Sequence, residues 1–359
     1  MPQLDSLRTI AVGLVILHHW YPTGVGINRL PNGTIGVMIF FVISGFLITR
    51  ILLQARQRVD DNRAALWATY RTFFIRRALR IFPLYYLVIT VFYIGLPSIQ
   101  QLSPDVQSDI QQHPLYYYLY GYNILLHQTG HWADILSPFW TLGVEEQLYL
   151  IWPWFVLLVP KRLLGWLPVG LVAVGLLSRI WGYFHGDIEG LLMPGSADAF
   201  GLGAIWAWLT TARPAQADAF RKRLPYGALL ALLAFAGLQL LPGDNLLTVV
   251  FMRFLVSVMA LYVIAGASRG FGGIGGIILN NSILQYVGRI SYGVYVFHMI
   301  VPGVLMKLVY RVMNRLHLPT DFSPNFHRLF ALLAVIAVAS ASYYVLEKPI
   351  NNLKKRISY

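Results

Sequence analysis

The 359 residues include no cysteine, which removes disulfides, thiolate nucleophiles and thiolate-bound metals from consideration. Charge is scarce too: 12% of the chain is charged, where a soluble domain carries roughly a quarter. Acidic groups are the scarcest, 15 against 28 lysines and arginines, for a net charge of +13. The first 25 residues lack the basic start and small-residue cleavage site of a secretory leader, so the first apolar run is expected to be retained as a helix. No internal repeat, low-complexity tail or separate polar domain is visible. The expectation is therefore one integral-membrane domain over 1–359, without an appended soluble domain.

What the chain has in abundance is apolar residues. They make up 57% of it, with a mean hydropathy of +0.59, and they fall in runs long enough to cross a bilayer. The runs predict an all-α polytopic membrane protein with about ten spans, near 7–22, 34–53, 80–97, 142–159, 163–182, 197–211, 225–241, 247–268, 284–312 and 327–346. Basic residues set the orientation. Arg56, Arg58, Arg63, Arg71, Arg76 and Arg77 place the loop after the second span inside, and no Lys or Arg occurs between Arg80 and Lys161, so loop 98–141 faces outside. Lys161, Arg162, Arg213, Arg221, Lys222, Arg223, Arg269 and Lys354–Arg356 then fall inside, with both termini. The outer loop 313–326 dissents, because Arg311 and Arg315 make it basic. The aromatic stretch HPLYYYLYGYNILLH in loop 98–141 suits a short interfacial helix. RGFGGIGG at 269–276 contains G-x-G-x-x-G, but it follows a membrane helix and reads as a flexible loop.

Four places put ionisable groups where they are costly. In LVILHHWYP, His19 lies about 18 Å beyond a cytoplasmic entry near Leu7 and shares a helix face with Asp5 and Arg8. In SPFWTLGVEEQLYLIWPWF, Glu145 and Glu146 enter the fourth span from outside at overlapping depth. One of them could hold the His19 imidazole as a general base, although their side chains diverge by about 100° and the choice stays open. In YRTFFIRRALRIFPLYY, Arg76, Arg77 and Arg80 share one side of a helix end, where they either grip lipid phosphates or form a fork for a phosphorylated cytosolic ligand. In GRISYGVYVFHMIVP, Ser291, Tyr295 and His298 share one face, as a polar lining or as an interhelical hydrogen-bond ladder.

The ordered blocks LDSLRTIAVGLVILHH, GVMIFFVISGFLIT, FFIRRALRIFPLYY, SPFWTLGVEEQLYLIWP, GRISYGVYVFHM and SYYVLEKPI resemble those of the acyltransferase-3 family of membrane-bound acyltransferases across essentially the whole chain. The resemblance implies a bacterial inner-membrane O-acetyltransferase. It would carry an acetyl group from cytoplasmic acetyl-CoA to an extracytoplasmic glycan such as O-antigen, exopolysaccharide, peptidoglycan or lipo-oligosaccharide. It makes His19 the essential histidine, Arg8 the arginine of the first block, Arg77 and Arg80 the R-x-x-R pair, and Glu145 and Glu146 the acidic pair. Met38 stands where many relatives have an acidic residue. The implied catalytic set is His19, Glu145 and Glu146. The implied acyl-CoA-binding set is Arg8, Arg76, Arg77, Arg80, Ser291, Tyr295 and His298, with Trp132 and Trp140 as saccharide platforms and no metal. Two alternatives compete: a covalent acetyl-His19 relay in place of direct transfer, and a non-catalytic sugar transporter or flippase, which gives no reason for the arginine fork.

Overall fold

A computed structural model describes residues 1–61, 65–187, 190–241, 243–320 and 322–357; Arg63 lies outside them. Among the described residues the chain is all helical, and its only strand-like feature is an isolated bridge between Gln107 and Asp134. The helices are α1 Pro2–Trp20, α2 Asn32–Asp60, α3 Leu66–Leu102, α4 Pro114–Tyr118, α5 Tyr122–Thr129, α6 Trp140–Leu158, α7 Trp166–Phe184, α8 Ala197–Ala212, α9 Pro214–Leu238, α10 Leu246–Arg269, α11 Gly273–Leu279, α12 Ser282–Arg289, α13 Ser291–Phe297, α14 Lys307–Arg315, α15 Pro324–Ser342 and α16 Lys348–Asn352.

Starts follow local chemistry. Proline occupies the first turn of α1, α9 and α15, where its missing N–H goes unneeded. Asn245 and Ser323 cap α10 and α15 by accepting from backbone N–H groups. Within 269–276, expected as a flexible loop, residues 273–276 instead begin α11. Gln3 accounts for the difference: its side chain accepts from the Phe271 N–H at 2.7 Å and donates to the Phe271 carbonyl at 3.1 Å, which anchors the turn ahead of the helix.

By length and composition, α2, α3, α7, α10 and the run Pro324–Arg356 can each cross a membrane. The ninth expected span, 284–312, is interrupted: α13 and the run Val301–Arg315 meet at a 50° bend, and together they make a sixth candidate. The other four expected positions are occupied by α1, α6, α8 and α9, each shortened or made polar in its own way. Helix α8 has 16 residues, α9 contains Arg221–Arg223, α1 carries Asp5, Arg8 and two histidines, and α6 holds the glutamate pair.

The chain divides into two compact units. The first comprises Met1–Phe74 and Val144–Gly288. Its helices approach closely where side chains are smallest. A Cβ on Gly45 of α2 would sit 2.2 Å from the Phe200 carbonyl oxygen, and one on Gly203 of α8 would sit 2.1 Å from that of Val42. Small residues thus set the α2–α8 distance from both sides, as they do where apolar solvent gives helices no hydrophobic drive to associate. Arg179 and Asp198 form a buried bidentate pair, at 2.8 and 2.7 Å, between α7 and α8.

The second unit comprises Ile75–Gly143 and Arg289–Ser358. Here the helices are interrupted: Val301–Met306 and Tyr343–Glu347 are π-helical turns, and α3 contains Pro83 and Pro97. The aromatic stretch of the long loop folds as α4 and α5 against α3. The Tyr85 hydroxyl donates to the Tyr117 carbonyl at 2.6 Å, that of Tyr86 donates to the Tyr118 carbonyl at 3.1 Å, and Tyr120 stacks on Tyr85 at 4.1 Å. Leu115 and Leu119, one turn apart, are exposed.

Candidate active site

In the first unit, α1 ends in a polar knot built around two histidines. Helix termini leave carbonyls without intrahelical partners. Buried Asn28 fills that need, since its amide donates to the carbonyls of Leu17 and Tyr21 at 2.8 Å and lies 3.3 Å from that of His18. Asn32 supports it by donating to Asn28 Oδ1 at 2.8 Å. Nothing in the composition marked these asparagines; the turn-rich GINRLPN after the histidines was the available signal. His18 lies against α2, where a Cβ on Gly33 would fall 2.7 Å from its ring. The rings of His18 and His19 meet edge to face at 5.1 Å.

His19 Nδ1 lies 2.9 Å from the Val15 carbonyl, one turn back on its own helix. A carbonyl only accepts, so Nδ1 carries the proton and the basic lone pair of the neutral ring sits on Nε2. The sequence suggested a carboxylate for this task; in this geometry a backbone carbonyl already fixes the tautomer. Arg8 donates to Asp5 at 2.7 Å, so the predicted stripe on α1 begins with an ion pair.

The two glutamates differ. Glu145 binds α6 to α2: one oxygen accepts from Ser44 Oγ at 2.9 Å and the other from the Tyr149 hydroxyl at 2.9 Å. One turn further along, Trp152 Nε1 donates to Thr49 Oγ1 at 2.8 Å. Glu146 is buried, with 3% of its surface accessible. Met38 is buried in α2.

In the second unit, Ser291, Tyr295 and His298 lie on one face, as their spacing predicts, and all three are buried. The Tyr295 hydroxyl donates to the Pro138 carbonyl at 2.8 Å and lies 2.6 Å from Thr141 Oγ1, which ties α13 to the start of α6. His298 Nδ1 approaches the Tyr295 carbonyl at 2.5 Å, in the break between α13 and the π turn. These bonds fit a structural ladder.

Of the arginines, Arg76 donates through Nη1 to the carbonyls of Ile357 at 2.6 Å and Lys354 at 3.2 Å. Arg80 is exposed and Arg77 half-buried. Lys354 lies within electrostatic reach of Arg76, Arg77 and Arg80, and buried Glu347 within reach of Arg80. Glu347 and Lys354 were visible in the sequence but were not singled out. Of the two tryptophans, Trp132 is 43% exposed, whereas Trp140 is buried at the head of α6 and offers no open face to a sugar.

The long loop has its own polar centre. Buried Asp134 accepts from the Tyr117 hydroxyl, from the N–H groups of Asp109 at 3.0 Å and Leu136 at 2.7 Å, and from Ser108 at 3.2 Å. Burial pushes the Asp134 carboxyl above its ordinary range, and burial beside Asp134 pushes the Tyr117 phenol up. Among the described residues no three His, Asp or Glu side chains form a metal-holding group.

A family model for an acyltransferase domain matches residues 1–344. The peptidoglycan O-acetyltransferase OatA of Listeria monocytogenes is 32% identical over 193 residues, covering 50% of this chain and 28% of that protein. A protein of Bacillus subtilis named "Putative peptidoglycan O-acetyltransferase YrhL" is 36% identical over 163 residues, covering 44% and 24% respectively. A Staphylococcus aureus protein named as a "Putative O-acetyltransferase" is 26% identical over 329 residues, covering 83% of this chain and 50% of its own length. The chain thus spans half or less of the length of these relatives. No solved structure matches. With the matched domain, the apolar helices and the ordered motifs in agreement, the chain belongs to the acyltransferase-3 family of membrane enzymes.

Proposed function

We propose that this protein is a bacterial inner-membrane O-acetyltransferase. It takes an acetyl group from cytoplasmic acetyl-CoA and places it on a hydroxyl of an extracytoplasmic glycan, a class that includes the peptidoglycan named for two relatives. The observation that carries this reading is His19: it ends an apolar helix, its Nδ1 is committed to the Val15 carbonyl, and its Nε2 is therefore the basic nitrogen. Nε2 takes the proton from the acceptor hydroxyl as that oxygen attacks the thioester carbonyl. The thiolate of CoA leaves and the proton on His19 neutralises it, so the histidine returns to its starting state. Glu145 is spent on Ser44 and Tyr149, so the supporting carboxylate for the imidazolium is assigned to Glu146. Arg77 and Arg80 hold the 3′-phospho-ADP end of the donor. Ser291 lines the thioester path, with Tyr295 and His298 holding their helix in place. Trp132 offers its face to the sugar.

The test is acetyl transfer from radiolabelled acetyl-CoA to isolated surface glycans, with purified wild type beside His19→Ala and Arg80→Ala, and acetyl-CoA binding measured in parallel. His19→Ala is expected to bind the donor and transfer nothing, and Arg80→Ala to lose binding. Transfer by His19→Ala at the wild-type rate would make the histidine structural. Labelled protein accumulating without acceptor would replace direct transfer with a covalent relay.

A further inference from the structure

By helical spacing alone, Arg76, Arg77 and Arg80 of α3 form one fork. The hydrogen bonds divide them. Arg76 directs Nη1 at two backbone carbonyls of the C-terminal segment, those of Lys354 and Ile357, so its guanidinium is committed to protein. The segment it grips is the turn Leu353–Arg356, which follows α16. Three consecutive cations stand on that turn, and they do not share a fate: Lys355 and Arg356 are exposed, whereas Lys354 turns inward and is half-buried. Its ammonium donates to Asn351 Oδ1 at 2.5 Å, which uses one of three N–H donors, and it faces the charges of Arg76, Arg77 and Arg80.

We propose that Lys354 is a phosphate-binding residue of the acyl-CoA site, and that Arg76 is the positioning residue that sets it there by holding its backbone. This rests on the assignment of Arg77 and Arg80 to the donor's phosphates. Four cations drawn within electrostatic reach of one another repel, and a polyanion bound among them relieves that repulsion. Glu347, buried in the π-helical turn Tyr343–Glu347, faces Arg80 and offsets part of that charge from the protein side. The 3′-phospho-ADP group brings a diphosphate and a phosphate monoester, a polyanion whose charge is opposite to that of the cluster. With Arg76 engaged on carbonyls, the direct contacts fall to Arg77, Arg80 and Lys354: two planar forks and one compact point charge. A phosphate could also come from an anionic lipid headgroup, and the experiment separates the two sources.

Full-length protein is reconstituted in nanodiscs of phosphatidylcholine alone and of phosphatidylcholine with phosphatidylglycerol. Acetyl-CoA affinity and transfer kinetics are measured for wild type, Lys354→Ala, Lys354→Arg, Arg76→Ala, the Arg76→Ala/Lys354→Ala double variant and Arg80→Ala. Lys354→Ala is expected to weaken acetyl-CoA binding about tenfold in both lipids, with the loss falling on KM rather than kcat. Lys354→Arg is expected to restore most of the affinity. Arg76→Ala is expected to weaken binding as Lys354→Ala does, and the double variant no further, because one residue acts through the other. Unchanged affinity of Lys354→Ala beside a weakened Arg80→Ala would overturn the proposal and leave the donor site standing. Lys354→Ala altering only the thermal response to phosphatidylglycerol would assign the lysine to lipid and likewise overturn it. Wild type that fails to bind acetyl-CoA would remove the donor site itself.

Discussion

His19 and His298 make the same local bond in different surroundings. Each directs Nδ1 at a carbonyl about one turn back on its own helix, Val15 for one and Tyr295 for the other. His19 does so at the end of a continuous 19-residue helix, half-buried, with Asn28 satisfying the carbonyls around it. His298 does so inside a break, with no surface exposed, where α13 stops and a π turn begins. At a helix end the carbonyl fixes a tautomer and leaves the basic lone pair on Nε2. In a break the ring serves the backbone, because interrupted helices free polar groups that apolar surroundings do not solvate.

The largest expected effect separates the two directly. His19→Ala should lower kcat by about 10²- to 10⁴-fold, the range a positioned general base supplies, with acetyl-CoA affinity within threefold of wild type. His298→Ala should show its main loss in thermal stability. Transfer rates and melting curves on both variants check this; a kcat loss for His298→Ala matching that of His19→Ala would erase the distinction.

The glutamates extend the comparison. Glu146→Gln should cut kcat about 10- to 100-fold, whereas Glu145→Gln, which keeps one accepting oxygen for the two donors Ser44 and Tyr149, should cost about 1–3 kcal/mol of stability. Urea unfolding in detergent and steady-state kinetics on the pair distinguish the roles; an exchange of the two phenotypes would transfer the catalytic assignment to Glu145. Asn28→Ala should follow, at about 1–3 kcal/mol, because it removes the buried donor to the carbonyls of Leu17 and Tyr21. Its kcat should fall more than that of Tyr295→Phe, which removes a hydroxyl tied to Pro138. Equal effects would mean that the end of α1 needs no cap.

Legibility in the sequence followed the kind of signal each residue carries. Helices showed in hydropathy, because a bilayer-length apolar run has few other uses, and the charged anomalies showed because charge is costly within such runs. The break at His298 did not show: Pro302 was in view, but a π turn arises from packing, and 284–312 read as one continuous span. Asn28 was missed because asparagine in a turn is commonplace, and its role exists only once the end of α1 folds back over it. Arg76 read as an equal of Arg77 and Arg80 because helical spacing places side chains and says nothing of a C-terminal segment 278 positions away. Glu145 and Glu146 were read as a pair, and only the identity of the facing residue, Ser44 of α2, separates them.

The smallest effect concerns the long loop, where a buried carboxylate is structural. Burial holds the Asp134 carboxyl above its unfolded value, against the pull of the bonds from Tyr117, Ser108 and the N–H groups of Asp109 and Leu136. A carboxyl with a raised folded value binds more protons in the fold than in the open chain. Its contribution is therefore unfavourable at neutral pH, and the penalty shrinks as pH falls through the folded value toward the unfolded one. Amide exchange at Leu136 and Asp109, corrected for intrinsic rates, should accordingly show modestly greater protection at pH 5 than at pH 7. The neighbouring imidazole of His131, 2.7 Å from Asp109, is taken out of the reading by a His131→Gln background. Asp134→Asn should flatten the profile and lower protection throughout, since an amide has one accepting oxygen where the carboxylate has two. Protection that falls with acid in the wild type would mean the four donors outweigh burial and hold the carboxylate ionised.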